Sequence, residues 1–175
     1  MFFVDAAHFV LGAFMSVVWC LARVWIRAPS GRQRFNVLGA LDAVTQEVVT
    51  VVNSAYINSL SVCALLEKLV ALRPTTPITV VLDNARYQRC ALVQACAENL
   101  KIELLFLPAY SPNLNLIERL WKFVKKQCLY AKYYRDFDSF TSAIERCLQE
   151  AHTLHANALQ SLLRLNFQTF QKVQL

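Results

Sequence analysis

Residues 1–5, MFFVD, form a short apolar run that ends in an acid. The pattern predicts a central strand with Asp5 at its C-terminal edge. An insertion is expected to follow, to about residue 31, with a strand near 17–26 and a turn at Pro29-Ser30-Gly31. Residues 34–42 (RFNVLGALD) and 47–53 (EVVTVVN) are strand-like, and the short linker Ala43–Gln46 predicts that they pair antiparallel. A helical stripe of Val62, Leu65, Leu66, Leu69 and Val70 runs over about 57–72, and Arg73-Pro74 ends it. Residues 78–82, ITVVL, are almost wholly apolar, as expected of a strand buried on both faces, with Asp83 and Asn84 at its end. A helix over about 86–99, with Leu92, Val93, Cys96 and Leu100 on one face, leads to a buried strand at 102–107. Pro108 and Pro112 bracket a loop. The next helix, 113–131, places Ile117, Leu120, Trp121, Val124 and Cys128 on one stripe. Asp138 is a candidate cap for a further helix with Phe140, Ile144, Cys147, Leu148 and Ala151 inward. A last helical stretch carries Leu159, Leu162 and Leu163.

A hairpin first and strand–helix alternation after it predict an α/β fold. The expected core is a mixed five-stranded sheet with helices on both faces, followed by C-terminal helices. The chain of 175 residues is expected to be a single domain, with a core over about 1–131 and a helical extension over about 136–175. Apolar residues make up 56% and charged residues 17%, which excludes a disordered chain and implies elements buried on more than one side. The uncharged run 9–22, FVLGAFMSVVWCLA, is shorter than the ~20 residues of a membrane-spanning helix and lacks a basic leader. No membrane partner is therefore expected. Six cysteines without a CxxC pair read as buried free thiols in a reducing, cytoplasmic setting, and no His/Cys set has zinc-ligand spacing.

Charge sharpens the picture. The net charge is +6, and it is unevenly placed. Residues 113–135 hold Arg119, Lys122, Lys125, Lys126, Lys132 and Arg135 with Glu118 as the only acid. Arg23, Arg27, Arg32 and Arg34 form a second cluster. Such clusters suit polyanions such as nucleic acid, although a solvated basic helix face would look the same.

Three acids lie at element ends on one side of the predicted sheet: Asp5, Asp83 and Glu118. Each has a bland reading. Asp5 serves as a polar strand end, Asp83 as a helix cap, and Glu118 as half of a capping box with Asn115. Brought together, they repel one another and call for cations. An all-oxygen donor set suits Mg²⁺, and two such ions can drive phosphodiester cleavage.

The motifs FFVDAAHF (2–9), GRQRFNVLGAL (31–41), VVLDNARYQR (80–89) and LPAYSPNLNLIERLWKFVKK (107–126) resemble the DDE endonuclease domain of mariner-superfamily bacterial insertion-sequence transposases. The resemblance covers nearly the whole chain and is most specific at YSPNLNLIERLW. Between Asp83 and Glu118 lie 34 residues, the spacing typical of that superfamily. It implies a ribonuclease H-like fold and a catalytic, metal-binding triad of Asp5, Asp83 and Glu118, served by two Mg²⁺ ions with Mn²⁺ as substitute. The implied reaction is DNA nicking at transposon ends and strand transfer to target DNA, in an assembly that admits a homodimer. Arg86, Arg119, Lys122, Lys125 and Lys126 are then expected at the DNA, with Asn84 supporting the acids. The chain departs from relatives at Ala6, Ala109, Asn113 and Leu116, none of which is one of the three acids. The helix-turn-helix module of such transposases is expected to be absent. A catalytically inactive remnant that only binds DNA is the alternative reading.

Overall fold

The computed structural model describes residues 1–12, 21–22, 33–53, 55–108, 111–130 and 132–167. Most of the expected strand near 17–26, the turn at 29–31 and Arg23, Arg27 and Arg32 lie outside the described residues; residues 21–22, which are described, form a bend and are exposed.

The apolar runs of the first two-thirds of the chain become strands β1 (Phe2–Val10), β2 (Arg34–Asp42), β3 (Val48–Asn53), β4 (Ile78–Leu82) and β5 (Ile102–Phe106). They form one mixed sheet in the order β3-β2-β1-β4-β5. β2 pairs antiparallel with both β1 and β3, whereas β4 is parallel to β1 and to β5. The predicted hairpin is there. Asp42 closes its turn by accepting hydrogen bonds from the Val44 and Thr45 amides at 2.8 and 3.2 Å. Between the strands run α1 (Ser59–Leu72) and α2 (Ala91–Asn99). After β5 come α3 (Ile117–Cys128), α4 (Phe137–Gln149) and α5 (Ala156–Leu162).

Strand alternation divides the core into two layers. Phe2 and Val4 of β1, Leu38 and Ala40 of β2, and Val80 and Leu82 of β4 pack under α1 and α2. On the opposite face, Phe3, Ala7 and Phe9 join Val37, Leu41 and Val81 under α3, α4 and α5. Each such fully buried side chain contributes roughly 1.5–3 kcal/mol. Helices therefore cover both faces, as the sequence implies.

Several boundaries differ from the expectation. β1 does not stop at Asp5 but continues to Val10, because β2 pairs with it along its full length and Ala7 and Phe9 are buried. α1 begins at Ser59, where Asn58 and Ser61 form a reciprocal cap. α2 begins at Ala91 rather than near 86, since Gln88 and Arg89 turn back to the Ala85 carbonyl. Leu92 is exposed on this helix, and Ala97 takes the buried place beside Val93. The 113–131 helix is instead a single 3₁₀ turn at Pro112–Leu114 followed by α3. Asp136, not Asp138, caps α4 by accepting from the Ser139 amide at 2.8 Å. Among the described residues no helix is long and apolar enough to cross a membrane.

Candidate active site

β1 pairs with β4 only through Phe2–Val4, opposite Val80–Leu82. Asp5 is the first β1 residue beyond that shared edge, and Asp83 is the first residue beyond β4. The two aspartates therefore leave adjacent parallel strands at the same end. Alternation puts Asp5 on the face of Phe3, Ala7 and Phe9, which is the face α3 covers.

Residues 115–121 of the loop and of α3 hold both aspartates. The Nε1–H of Trp121 donates to Oδ2 of Asp5 at 3.2 Å. Asn115, buried at 1% exposure, donates from Nδ2 to the Val4 carbonyl at 3.1 Å and to Oδ1 of Asp83 at 3.2 Å. Glu118 opens α3 between these two anchors. Neither Asn115 nor Glu118 forms the capping arrangement that their spacing suggests, because Leu116 is the N-cap and no side chain caps α3. Asn115 is spent on the sheet instead.

The approach of Trp121 depends on Gly39. Gly39 lies opposite Asp5 in the β1–β2 register. A Cβ there would lie 2.6 Å from Cη2 of Trp121. Only a residue without a side chain lets the indole cross β2 and reach Asp5.

The electrostatics agree with this geometry. Burial, opposed by a hydrogen bond from the Ala6 amide and reinforced by the charges of Glu118 and Asp83, pushes the Asp5 carboxyl from 3.8 up to about 7. The three acids thus share one electrostatic neighbourhood. The Tyr87 phenol stands in it too, pushed up to about 12 by burial first and then by Asp5. Among the described residues no three carboxylate, imidazole or thiol groups are drawn into a closed metal cage. The charges of Glu118 and Asp83 act on Asp5 through repulsion. The donor set fits a hard divalent cation: it is all oxygen, and a positive counter-charge would favour the ionised form of Asp5. The Oδ1 of Asn115 is also buried with no partner among the described residues.

The other expected site residues lie outside this knot. Asn84 is exposed and accepts from Nη1 of Arg89 at 3.0 Å. Arg86, Lys122 and Lys126 are exposed, and Lys125 is half-buried. Arg119, expected at the DNA, bonds within the chain. Its guanidinium donates to the carbonyls of Leu162, Arg164 and Asn166 at 3.2, 2.7 and 2.7 Å and lies 5.5 Å from the Phe167 ring centroid. Sequence reasoning placed Trp121 only in the core stripe and Asn115 only as a cap, and it gave Gly39 and Tyr87 no role. The motif around Glu118 was the one signal that held both Asn115 and Trp121.

Residues 3–141 match the family of DDE superfamily endonucleases. The chain belongs to that family. This DDE endonuclease domain is 28% identical over 95 residues to the insertion element IS630 uncharacterized 39 kDa protein of Shigella sonnei, covering 54% of this chain and 28% of that protein. It resembles the Mos1 transposase in a paired-end complex with the left transposon end, with a TM-score of 0.61 and 16% identity over 90% of this chain and 54% of that one. The Mos1 strand transfer complex gives 0.62 and 17%, over 97% and 55%. The catalytic core of HTLV-2 integrase in complex with magnesium gives 0.57 and 14%, over 87% and 85%. At these identities the structural likeness speaks for the ribonuclease H-like fold. The chain spans about half the length of the Mos1 chains and about a quarter of the IS630 protein.

Proposed function

We propose that this domain is the catalytic part of a DNA transposase, which nicks DNA at transposon ends and transfers the freed 3′ end to target DNA. The carrying observation is that one seven-residue stretch, 115–121, ties Asp5 and Asp83 to the helix that bears Glu118. Asp5, Asp83 and Glu118 would hold Mg²⁺, with Mn²⁺ as substitute, and two ions are the number we expect. When bound, the metal supplies Lewis-acid stabilisation and a more acidic attacking water or hydroxyl.

The rest falls to the chain's own residues. Trp121 fixes the rotamer of Asp5, and Asn115 fixes that of Asp83, so that the carboxylates meet their cations pre-oriented. Tyr87 and the buried wall beside Asp5 limit water around the acids. Arg86, Lys122, Lys125 and Lys126 meet the phosphate backbone and set register rather than sequence. Binding of Mos1 to a transposon end and of HTLV-2 integrase to magnesium supports this reading by analogy of fold. DNA is then the partner, a homodimer would pair two ends, and the cytoplasm is the location.

The test is nicking of a duplex that carries the terminal repeat of the encoding element, with Mg²⁺ or Mn²⁺. Wild type is expected to cut, and Asp83→Ala to lose cutting by at least a hundredfold. Equal cutting by the two proteins would end the proposal. Salt-dependent binding without metal-dependent cutting would leave a DNA-binding remnant.

A further inference from the structure

After α5 the chain returns to the start of α3. Leu163 is buried in the same core layer as Phe3 and Trp121. Phe167 packs on that layer, its ring centroid 6.0 Å from that of Phe3. Phe3 precedes Asp5 by two residues on the same face of β1. The segment 162–167 therefore touches β1 beside one acid and α3 beside another.

Arg119 joins the two. Its planar fork takes the carbonyls of Leu162, Arg164 and Asn166 and covers the Phe167 ring. The carbonyls of Leu162, Arg164 and Asn166 all accept from this one group, and several rigidly spaced donors are what binds them. An ammonium group lacks that geometry. The need for such a fastening is local. α3 starts without a side-chain cap, so its first turn, which carries Glu118, is held by Asn115 before it, Trp121 after it and the contacts of Arg119.

We propose that Arg119 is a positioning residue. Acting through segment 162–167, it fixes the first turn of α3, and with it Glu118, against β1. Arg119 is thereby withdrawn from DNA, and the C-terminal segment becomes part of the site's support. The proposal rests on the reading of Glu118 as one of the metal-holding acids, but its structural half does not.

The experiment uses the whole 175-residue chain and four variants: Arg119→Gln, Arg119→Lys, Phe167→Ala, and Arg119→Gln with Phe167→Ala. Hydrogen–deuterium exchange at residues 117–121 reads the fastening. Titration with Mn²⁺ alone reads the acids, with Glu118→Gln as control. The salt dependence of binding to a plain DNA duplex reads phosphate contact. Arg119→Gln and Phe167→Ala should each speed exchange at 117–121 and weaken Mn²⁺ binding about tenfold, the scale of a lost supporting partner. The double variant should do no more than the worse single one. Arg119→Lys should fail to rescue, and the salt slope should stay at the wild-type value.

The proposal is overturned if exchange at 117–121 is unchanged in Arg119→Gln, or if the two single effects simply add. Rescue by lysine, with a salt slope in Arg119→Gln shallower by about one, would make Arg119 a phosphate ligand instead. Should Arg119→Gln not fold, Arg119→Lys and Phe167→Ala carry the same exchange measurement. A wild type that binds no Mn²⁺ would defeat the reading of the acids, and the exchange measurement would still decide the role of Arg119.

Discussion

Asp5 is charged at a disadvantage that a cation would remove. Its carboxyl rises from 3.8 to about 7, mainly through burial. Between those values the unfolded chain gives up its proton while the folded chain keeps it. Metal-free stability should therefore fall as pH rises from about 4 to about 7, by a few kcal/mol, and level off above. Denaturation in EDTA across that range, compared with Asp5→Asn, checks this: the variant should lack the decline, and identical profiles would count against it. Gly39 makes a steric prediction. In Gly39→Ala the new methyl meets the Trp121 ring at 2.6 Å and Cδ1 of Ile117 at 3.1 Å. A stability loss of about 1–3 kcal/mol is expected, with the indole moved off Asp5. Thermal denaturation and the Trp121 indole N–H resonance would report both. At this scale Asp5 and Asp83 were legible as acids behind short apolar runs, and Glu118 as an acid at the start of a helix. Trp121 and Asn115 were not, because an apolar stripe and a cap spacing already accounted for them. Nothing local in a sequence says that an indole N–H will find a carboxylate 116 positions away.

For the elements, the lesson of β1 is that an acid inside an apolar run does not end a strand. Its partner β2 supplies hydrogen bonds through Val10, and the buried Ala7 and Phe9 keep the alternation going past Asp5. The parallel partner β4 does stop, and that is what opens room beside Asp5. Periodicity found α1, β4 and the inner stripe of α3 because their buried positions repeat cleanly, whereas β5, expected as a buried strand, lies at the sheet edge with Leu105 exposed. Periodicity also misplaced the start of α2, where tertiary contacts of Tyr87 and Gln88 hold a turn instead. α4 offers a direct check on its start. Asp136→Ala should lower the melting temperature, whereas Asp138→Ala, two residues further in, should change it less. The reverse order would restore the sequence-based assignment of the cap.

Across the whole molecule, the order of strand and helix signals was enough to place helices on both faces of a mixed sheet, since a hairpin followed by strand–helix alternation leaves few other arrangements. Lys122 and Lys126 are exposed on α3, the helix that carries Glu118. If they meet phosphate, replacing both with Gln should make the slope of log K against log salt shallower by about two and weaken binding on every sequence alike. Measurements on two unrelated duplexes would separate this from sequence-specific loss.

The order of assembly has a further consequence for a growing chain. β1 is made first, yet it lies in the middle of the sheet. Its aspartate is held by a tryptophan 116 positions later, and the carbonyl before it by an asparagine 111 positions later. Contacts so distant in sequence form late in folding. A nascent chain that has left the ribosome only as far as Asp83 displays both aspartates but has neither Glu118 nor the residues that orient them. On the proposed function, cutting would be withheld until synthesis has passed α3, so that half-made copies would not act on the DNA around them.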